Sequence, residues 1–451
     1  MRRLWLLVVF FGTSPGWGQA QPAGPLRLSL PRALALAQVS RGSYQNLQLE
    51  EQVAAQAARA VRGLYAPKLG AATDLRYNII LPTSIIPNFA NPTSGERVPV
   101  SFGTVYQASA GLTFNQPLYD ANALAQRPVA ALTQQLAANA SWQGRVALVV
   151  AVSQAYYEAL LRETQLAFAR ADAVRAQAAY RDLAARQQVG RALANEVDQA
   201  HLAQRNASLA QAVAQQYIGL SKQHLLATLG LPPNYVANLQ LTDSLPQLLR
   251  RYADTTAWQE TPPALQRRPE FRQEQLNADL AAANLSAERR GYRPTVGLTG
   301  YLGANGFNDN FLQTLHLGRW FGNAYAAVQA SVPLLDGSAR ATRLETQRLR
   351  QQQARNRQAD LQQTIGYEVA NARTQLQLAW QTVQVKEENI AVTARSAELT
   401  ALRQQAGRAL GREVLAAEAT RQQAQREYLQ AVYDFLVARL EYQRVTGTLT
   451  D

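Results

Sequence analysis

The chain has 451 residues, a formal net charge of +13 and no cysteine. The missing thiols exclude disulfides, thiolate metal sites, a cysteine nucleophile and the N-terminal cysteine that a lipid anchor requires. The basic balance raises the question of nucleic acid, but the arginines are spread along segments rich in Glu and Gln with no aromatic-basic patch. They read as solvated helix faces, and nucleic acid is not expected as a partner.

In chain order, Arg2 and Arg3, the apolar run from Leu4 to Phe11 and the small-residue triplet Gly18-Gln19-Ala20 predict a secretory signal over residues 1–20. Beyond it no run of about 18 apolar residues occurs, so no spanning helix is expected. The mature chain is then expected to be periplasmic, released, or held in an outer membrane by strands.

The remainder reads as two copies of one unit, 21–230 and 262–447, joined by a linker at 231–261 and followed by a short tail at 448–451. Residues 186–200 (RQQVGRALANEVDQA) and 403–417 (RQQAGRALGREVLAA) are identical at ten of fifteen positions. Upstream, Tyr65-Ala66-Pro67 matches Tyr292-Arg293-Pro294, and Gln116-Pro117-Leu118-Tyr119-Asp120 matches Val332-Pro333-Leu334-Leu335-Asp336. The first match is offset by 227 and the second by 216, so the copies differ in length mainly between their strands.

Each copy begins with a helix, expected over 30–64 and 262–291, and stopped by Pro67 and Pro294. Two strands follow, expected at 69–81 and 104–116 in the first copy and at 295–303 and 324–334 in the second. Leu69, Ala71, Thr73, Leu75 and Tyr77 alternate with Gly70, Ala72, Asp74 and Arg76. That period suits either a half-wet soluble sheet or a barrel wall. Segments 82–103 and 304–323 read as exposed loops. Trp320, Phe321 and Tyr325 fit either a lipid-water boundary or a local aromatic cluster. Helices of about 100 Å are expected over 121–189 and 337–406, with a kink or later start signalled by Pro128. Glycine-containing turns then lead into return helices ending near 229 and 446. The linker is rich in Pro, Leu and Thr and shows no clear period. Four strands cannot close a spanning barrel, which needs at least about eight, whereas three chains would supply twelve.

No catalytic constellation is present. His201, His224 and His316 are scattered, no nucleotide-binding or hydrolase motif occurs, and neither a cofactor nor a metal is expected. The functional candidates are the turns at 186–198 and 403–415. Gly190 and Gly407 suit left-handed caps. Glu196 and Glu413 either cap the return helices or, multiplied by symmetry, form an acidic ring.

The YAP at 65–67, QPLYD at 116–120, AYYEALL at 155–161, the repeated G-x-x-x-x-x-E-V turn and RRPEF at 267–271 together resemble the TolC family of outer-membrane efflux proteins over 26–447. The resemblance implies a mixed α and β fold of two tandem repeats, each a long helical hairpin plus two antiparallel strands. It implies a homotrimer with a 12-stranded outer-membrane β-barrel and a long α-helical periplasmic tunnel. It also implies a periplasmic adaptor, an inner-membrane transporter of RND or ABC type, and outer-membrane lipid as partners. On that basis Glu196, Glu413 and Asp198 would line the tunnel gate. Gly190, Arg191, Ala192 and Leu193 with Gly407, Arg408, Ala409 and Leu410 would form the adaptor footprint. Ala416 replaces a second acidic position of the family, and Arg408 and Arg412 crowd the same tip, so arginine-glutamate pairing across turns is expected to hold it closed. The implied function is passive efflux of small toxic compounds. A type I protein secretion duct and a periplasmic coiled-coil adaptor or rod are the alternatives.

Overall fold

The computed structural model describes residues 26–89, 95, 97–253, 265–316, 320–334 and 337–449. The expected signal at 1–20 lies outside them. The chain divides into two compact units. One comprises Met1–Gly42, Leu148–Glu260 and Arg373–Glu441, the other Ser43–Ala147, Thr261–Ala372 and Tyr442–Asp451. Each unit therefore draws on both sequence copies.

The duplicated helices match closely. Helix α3 (Ala121–Gln188) has 68 residues and its counterpart α8 (Ala339–Gln405) has 67, a rise of about 100 Å each. The return helices α4 (Ala194–Leu229) and α9 (Gly411–Thr446) have 36 residues each. Pro128 does not delay α3, which begins seven residues earlier and runs through it.

The first helix departs from expectation. It divides at Arg41, which is extended at φ −77° and ψ 106°, into α1 (Leu30–Ser40) and α2 (Gly42–Arg62). Tertiary contacts fix the break. The Ser40 hydroxyl donates to Leu229 O at 2.5 Å, and the Arg41 guanidinium donates to Ala227 O. The second copy's helix, α6 (Pro269–Arg290), starts later than 262. Pro269 occupies its first turn, where a missing N–H costs nothing, and Arg268 before it is extended, as a residue preceding proline prefers.

The linker is more ordered than its composition suggests. A 3-10 turn (Pro233–Asn238) leads to strand β6 (Leu239–Leu241), which pairs in parallel with β1 (Leu26–Leu28). Helix α5 (Leu245–Tyr252) then buries Leu245, Leu248 and Leu249. This patch packs in the first unit with α3. Val152, Tyr156 and Leu160 are all at most 2% exposed. The Tyr156 hydroxyl lies 3.0 Å from Leu28 O and 2.8 Å from Asp243 Oδ2, which also accepts the Leu30 N–H. Burial, followed by the bond and charge of Asp243, pushes the Tyr156 hydroxyl well above the ordinary tyrosine range; burial does the same to Tyr157.

The second unit carries an antiparallel sheet of β2 (Lys68–Tyr77), β5 (Tyr106–Asp120), β7 (Thr295–Asn308) and β8 (Trp320–Ser331), in that order. The strands sit where alternation predicted them, with shifted ends. β2 stops at Tyr77 rather than 81, and β8 runs from 320 to 331 rather than from 324 to 334. The expected loop 82–103 contains a hairpin, β3 (Thr83–Pro87) and β4 (Arg97–Ser101), which accounts for the extra length of the first copy. The expected loop 304–323 is shortened by the long β7, the short helix α7 (Phe311–Thr314) and the early start of β8.

Candidate functional site: the strand sheet and the helix turns

Strand register assigns every sheet residue to a face. One face joins Leu69, Ala71, Thr73, Leu75 and Tyr77 to Phe114, Leu112, Ala110, Ala108 and Tyr106, continuing across Gly300, Leu302, Ala304 and Gly306 to Ala326, Ala324, Gly322 and Trp320. It carries no charged residue. From Leu69 to Tyr77 it spans about 26 Å along the strand, comparable to the apolar band of a membrane barrel, about 25 Å. Its end at Tyr77 is aromatic. The Tyr77 and Tyr106 rings lie 5.1 Å apart, Phe311 lies 5.7 Å from Tyr106, and the Trp320 indole donates to Thr314 O at 2.8 Å. The opposite face holds Asp74, Arg76, Gln107, Ser109, Thr113, Asn115, Asn305 and Asn323.

This register resolves the aromatic cluster. Trp320 belongs to the apolar face with Tyr77 and Tyr106, as a boundary residue would. Phe321 and Tyr325 are turned to the polar face, where Tyr325 stacks on Tyr301 and Phe321 meets Phe307. Alternation was legible, but without the register the two faces of β8 were not.

Within the described residues β2 and β8 each have one neighbour, so both edges of the sheet are unpaired. No helix is long and apolar enough to cross a membrane among the described residues, and no group of three or more His, Asp or Glu there suits a metal.

The two turns share one construction. Gly190 (φ 70°) and Gly407 (φ 68°) are left-handed. Gly190 N–H reaches Gln187 O and Arg191 N–H reaches Arg186 O; Gly407 N–H reaches Gln404 O and Arg408 N–H reaches Arg403 O. That bond pair closes a helix end by satisfying two of its orphan carbonyls. The return helices are capped alike. Glu196 accepts the Leu193 N–H at 3.1 Å, and Glu413 accepts the Leu410 N–H at 3.4 Å, which suits a carboxylate at a helix N-terminus. Both glutamates thus fold back on their own helix. Arg191, Asp198, Arg408 and Arg412 are exposed, Ala192 and Ala409 are half-buried, and Leu193 and Leu410 are 67% and 49% exposed. Among the described residues no ion pair joins Glu196 or Glu413 to Arg191, Arg408 or Arg412 within one chain. The turns lie side by side. Gly411 is buried, and a Cβ added to it would sit 3.4 Å from Glu196 Oε1. The equivalent position in the first copy is the exposed Ala194.

Two ionic clusters escaped sequence reasoning, because each depends on one carboxylate distant in the chain, Glu368 or Asp172. Arg268, in the RRPEF motif, is 2% exposed and reaches Glu368 at 2.8 Å and Glu270 at 3.5 Å, while Arg444 meets Glu270 at 3.3 Å. Arg421 bonds Asp172 at 2.8 Å and Glu418 at 2.7 Å. Burial opposes its charge, but these two carboxylates outweigh that and raise its pKa.

The open sheet with one apolar and one polar face, joined in sequence to two helices of nearly 70 residues, is a fold shared with solved outer-membrane channels. Solved structures agree. The outer membrane protein VceC of Vibrio cholerae aligns with a TM-score of 0.72 at 18% identity, covering 93% of this chain and 96% of that one. The MtrE outer membrane channel of Neisseria gonorrhoeae gives 0.72 at 16% identity, covering 93% and 88%. The CmeC outer membrane channel of Campylobacter jejuni gives 0.71 at 14% identity, covering 93% and 85%. The second sequence copy, residues 262–448, matches the family model of the outer membrane efflux proteins, so the resemblance seen in the sequence holds. No curated protein sequence matches.

Proposed function

We propose that three copies of the chain close a 12-stranded barrel in the outer membrane, with their helices forming a periplasmic tunnel. The trimer acts as the passive exit duct of a tripartite efflux pump for small toxic compounds. The observation that carries this is the four-stranded sheet with an uncharged apolar face and two unpaired edges. Unpaired strand edges cannot rest in hydrocarbon, and edge pairing of β8 with β2 of the next copy satisfies both. Energy and substrate choice then belong to an inner-membrane transporter of RND or ABC type, reached through a periplasmic adaptor.

The absence of native cysteine makes the test clean. Ala71→Cys on β2, combined in turn with Ala324→Cys, Ala326→Cys or Ala330→Cys on β8, should give disulfide-linked dimers and trimers from outer membranes. The purified protein should conduct in planar bilayers. Monomer alone in every pairing, with no conductance, refutes the proposal.

At the tip, Glu196, Glu413 and Asp198 are assigned to the tunnel entrance, and Arg408 and Arg412 to pairing between copies that narrows it. Gly190, Arg191, Ala192 and Leu193 with Gly407, Arg408, Ala409 and Leu410 are assigned to the adaptor. Arg191→Glu with Arg408→Glu should abolish adaptor crosslinking while trimers persist, and retained crosslinking would overturn that footprint.

A further inference from the structure

The polar face of the sheet carries aromatic rings in a fixed arrangement. Tyr301 and Tyr325, directly opposite in the β7–β8 register, stack with centroids 6.0 Å apart and planes 23° from parallel. Phe307 and Phe321 follow toward the same end, at 6.4 Å. Tyr301 is seated by glycine. A Cβ on Gly111 would lie 2.6 Å from its ring, and one on Gly303 would lie 2.6 Å from its hydroxyl oxygen. Two positions on neighbouring strands are thus without side chains where this ring crosses them. Tyr325 and Phe321 remain 57% and 66% exposed, with ring surface left free.

Charge on the same face is balanced. Register places Lys68, Asp74, Arg76 and Asp120 there, two of each sign, and Arg76 pairs with its neighbour Asp74 at 3.8 Å. Nothing in the strands offers the converging carboxylates that a hard metal ion would need. A ring face instead attracts organic cations and stacks on aryl groups.

We propose that Tyr301, Tyr325, Phe307 and Phe321 form an aromatic belt inside the barrel that binds aryl-bearing organic cations in transit. The inference rests on the duct proposed above, whose polar face lines the lumen. Three copies would present six tyrosines and six phenylalanines around one passage.

The test uses the full-length trimer in planar bilayers, with tetraphenylphosphonium as the probe. Micromolar to millimolar probe should block the wild-type current reversibly. Hexaamminecobalt(III), more highly charged but without aryl groups, should not block over that range. Tyr325→Ser with Phe321→Ser leaves the seated Tyr301 in place. It should raise the half-blocking concentration on the order of tenfold, the loss expected for two ring contacts per copy, while single-channel conductance stays equal or rises. A conducting wild-type channel that tetraphenylphosphonium does not block overturns the belt and leaves the duct standing. So does unchanged block in the double variant, or equal block by hexaamminecobalt(III). A wild-type protein that never conducts overturns the duct, and the belt with it.

Discussion

The buried guanidinium of Arg268 offers a quantitative test of how the second unit is held together. Its side chain is 2% exposed, while its partners Glu368 and Glu270 are 34% and 36% exposed. Removing one partner of a buried pair costs about 3–5 kcal/mol, because the other charge is left without compensation. Here the two ends differ. In Arg268→Met the stranded carboxylates still reach water, so the loss should fall to about 2 kcal/mol. In Glu368→Leu the stranded group is the guanidinium. Its remaining partner is Glu270 at 3.5 Å, which Arg444 also holds, so the loss should reach about 4 kcal/mol. Arg268→Met with Glu368→Leu should recover most of it. The assay is denaturant unfolding of detergent-solubilised protein, followed by helical circular dichroism, with all three variants forming a double-mutant cycle. Equal losses in the two single variants, or additive losses in the double, would refute the reasoning.

Tyr156 and Tyr157 have pKa values raised by burial, so the folded state keeps protons that the unfolded state releases. That contribution is complete below the ordinary tyrosine pKa of about 10 and is lost as pH rises through and beyond it. Thermal melting should therefore fall above about pH 10, and Tyr157→Phe should blunt the fall. Gly230→Ala should cost more than Gly190→Ala in melting temperature. Both glycines have positive φ, but a Cβ at 230 would lie 2.7 Å from Ser40 O, whereas at 190 it meets nothing within 4 Å. The second change should cost about 1 kcal/mol and the first roughly twice that. At the tip, Arg408→Ala with Arg412→Ala should raise single-channel conductance, and unchanged conductance would remove these arginines from the gate.

The helices were legible because their signals are local. Long Ala- and Gln-rich runs end at Gly190 and Gly407, and both glycines take the left-handed cap the repeat implied. Strand positions were legible through period-two alternation, but strand ends were not. Tyr77 ends β2 where cross-strand pairing stops, not where the apolar residues Ile79 and Ile80 stop. The break at Arg41 was hidden because carbonyls of Ala227 and Leu229, nearly 190 residues away, hold it. The linker looked aperiodic because its order comes from pairing with Leu26–Leu28. At the turns, the left-handed glycines were legible in the repeat, but the closeness of Glu196 to Gly411 was not, because it depends on how the two turns lie against each other.

The four helix ends of the duplicated hairpins close on glycines of the same left-handed hand, at 190, 230, 407 and 447, and the return helices match at 36 residues each. Such a chain behaves as a doubled ruler. Removing a few turns from α3 and α4 alone would pull one tip back from its neighbour and withdraw Glu196 from Gly411. Length can therefore change only in step across both copies. Lineages that lengthen or shorten these helices should do so in both halves of the gene by equal amounts, while β3–β4, which has no counterpart among the described residues of the second half, remains free to vary on its own.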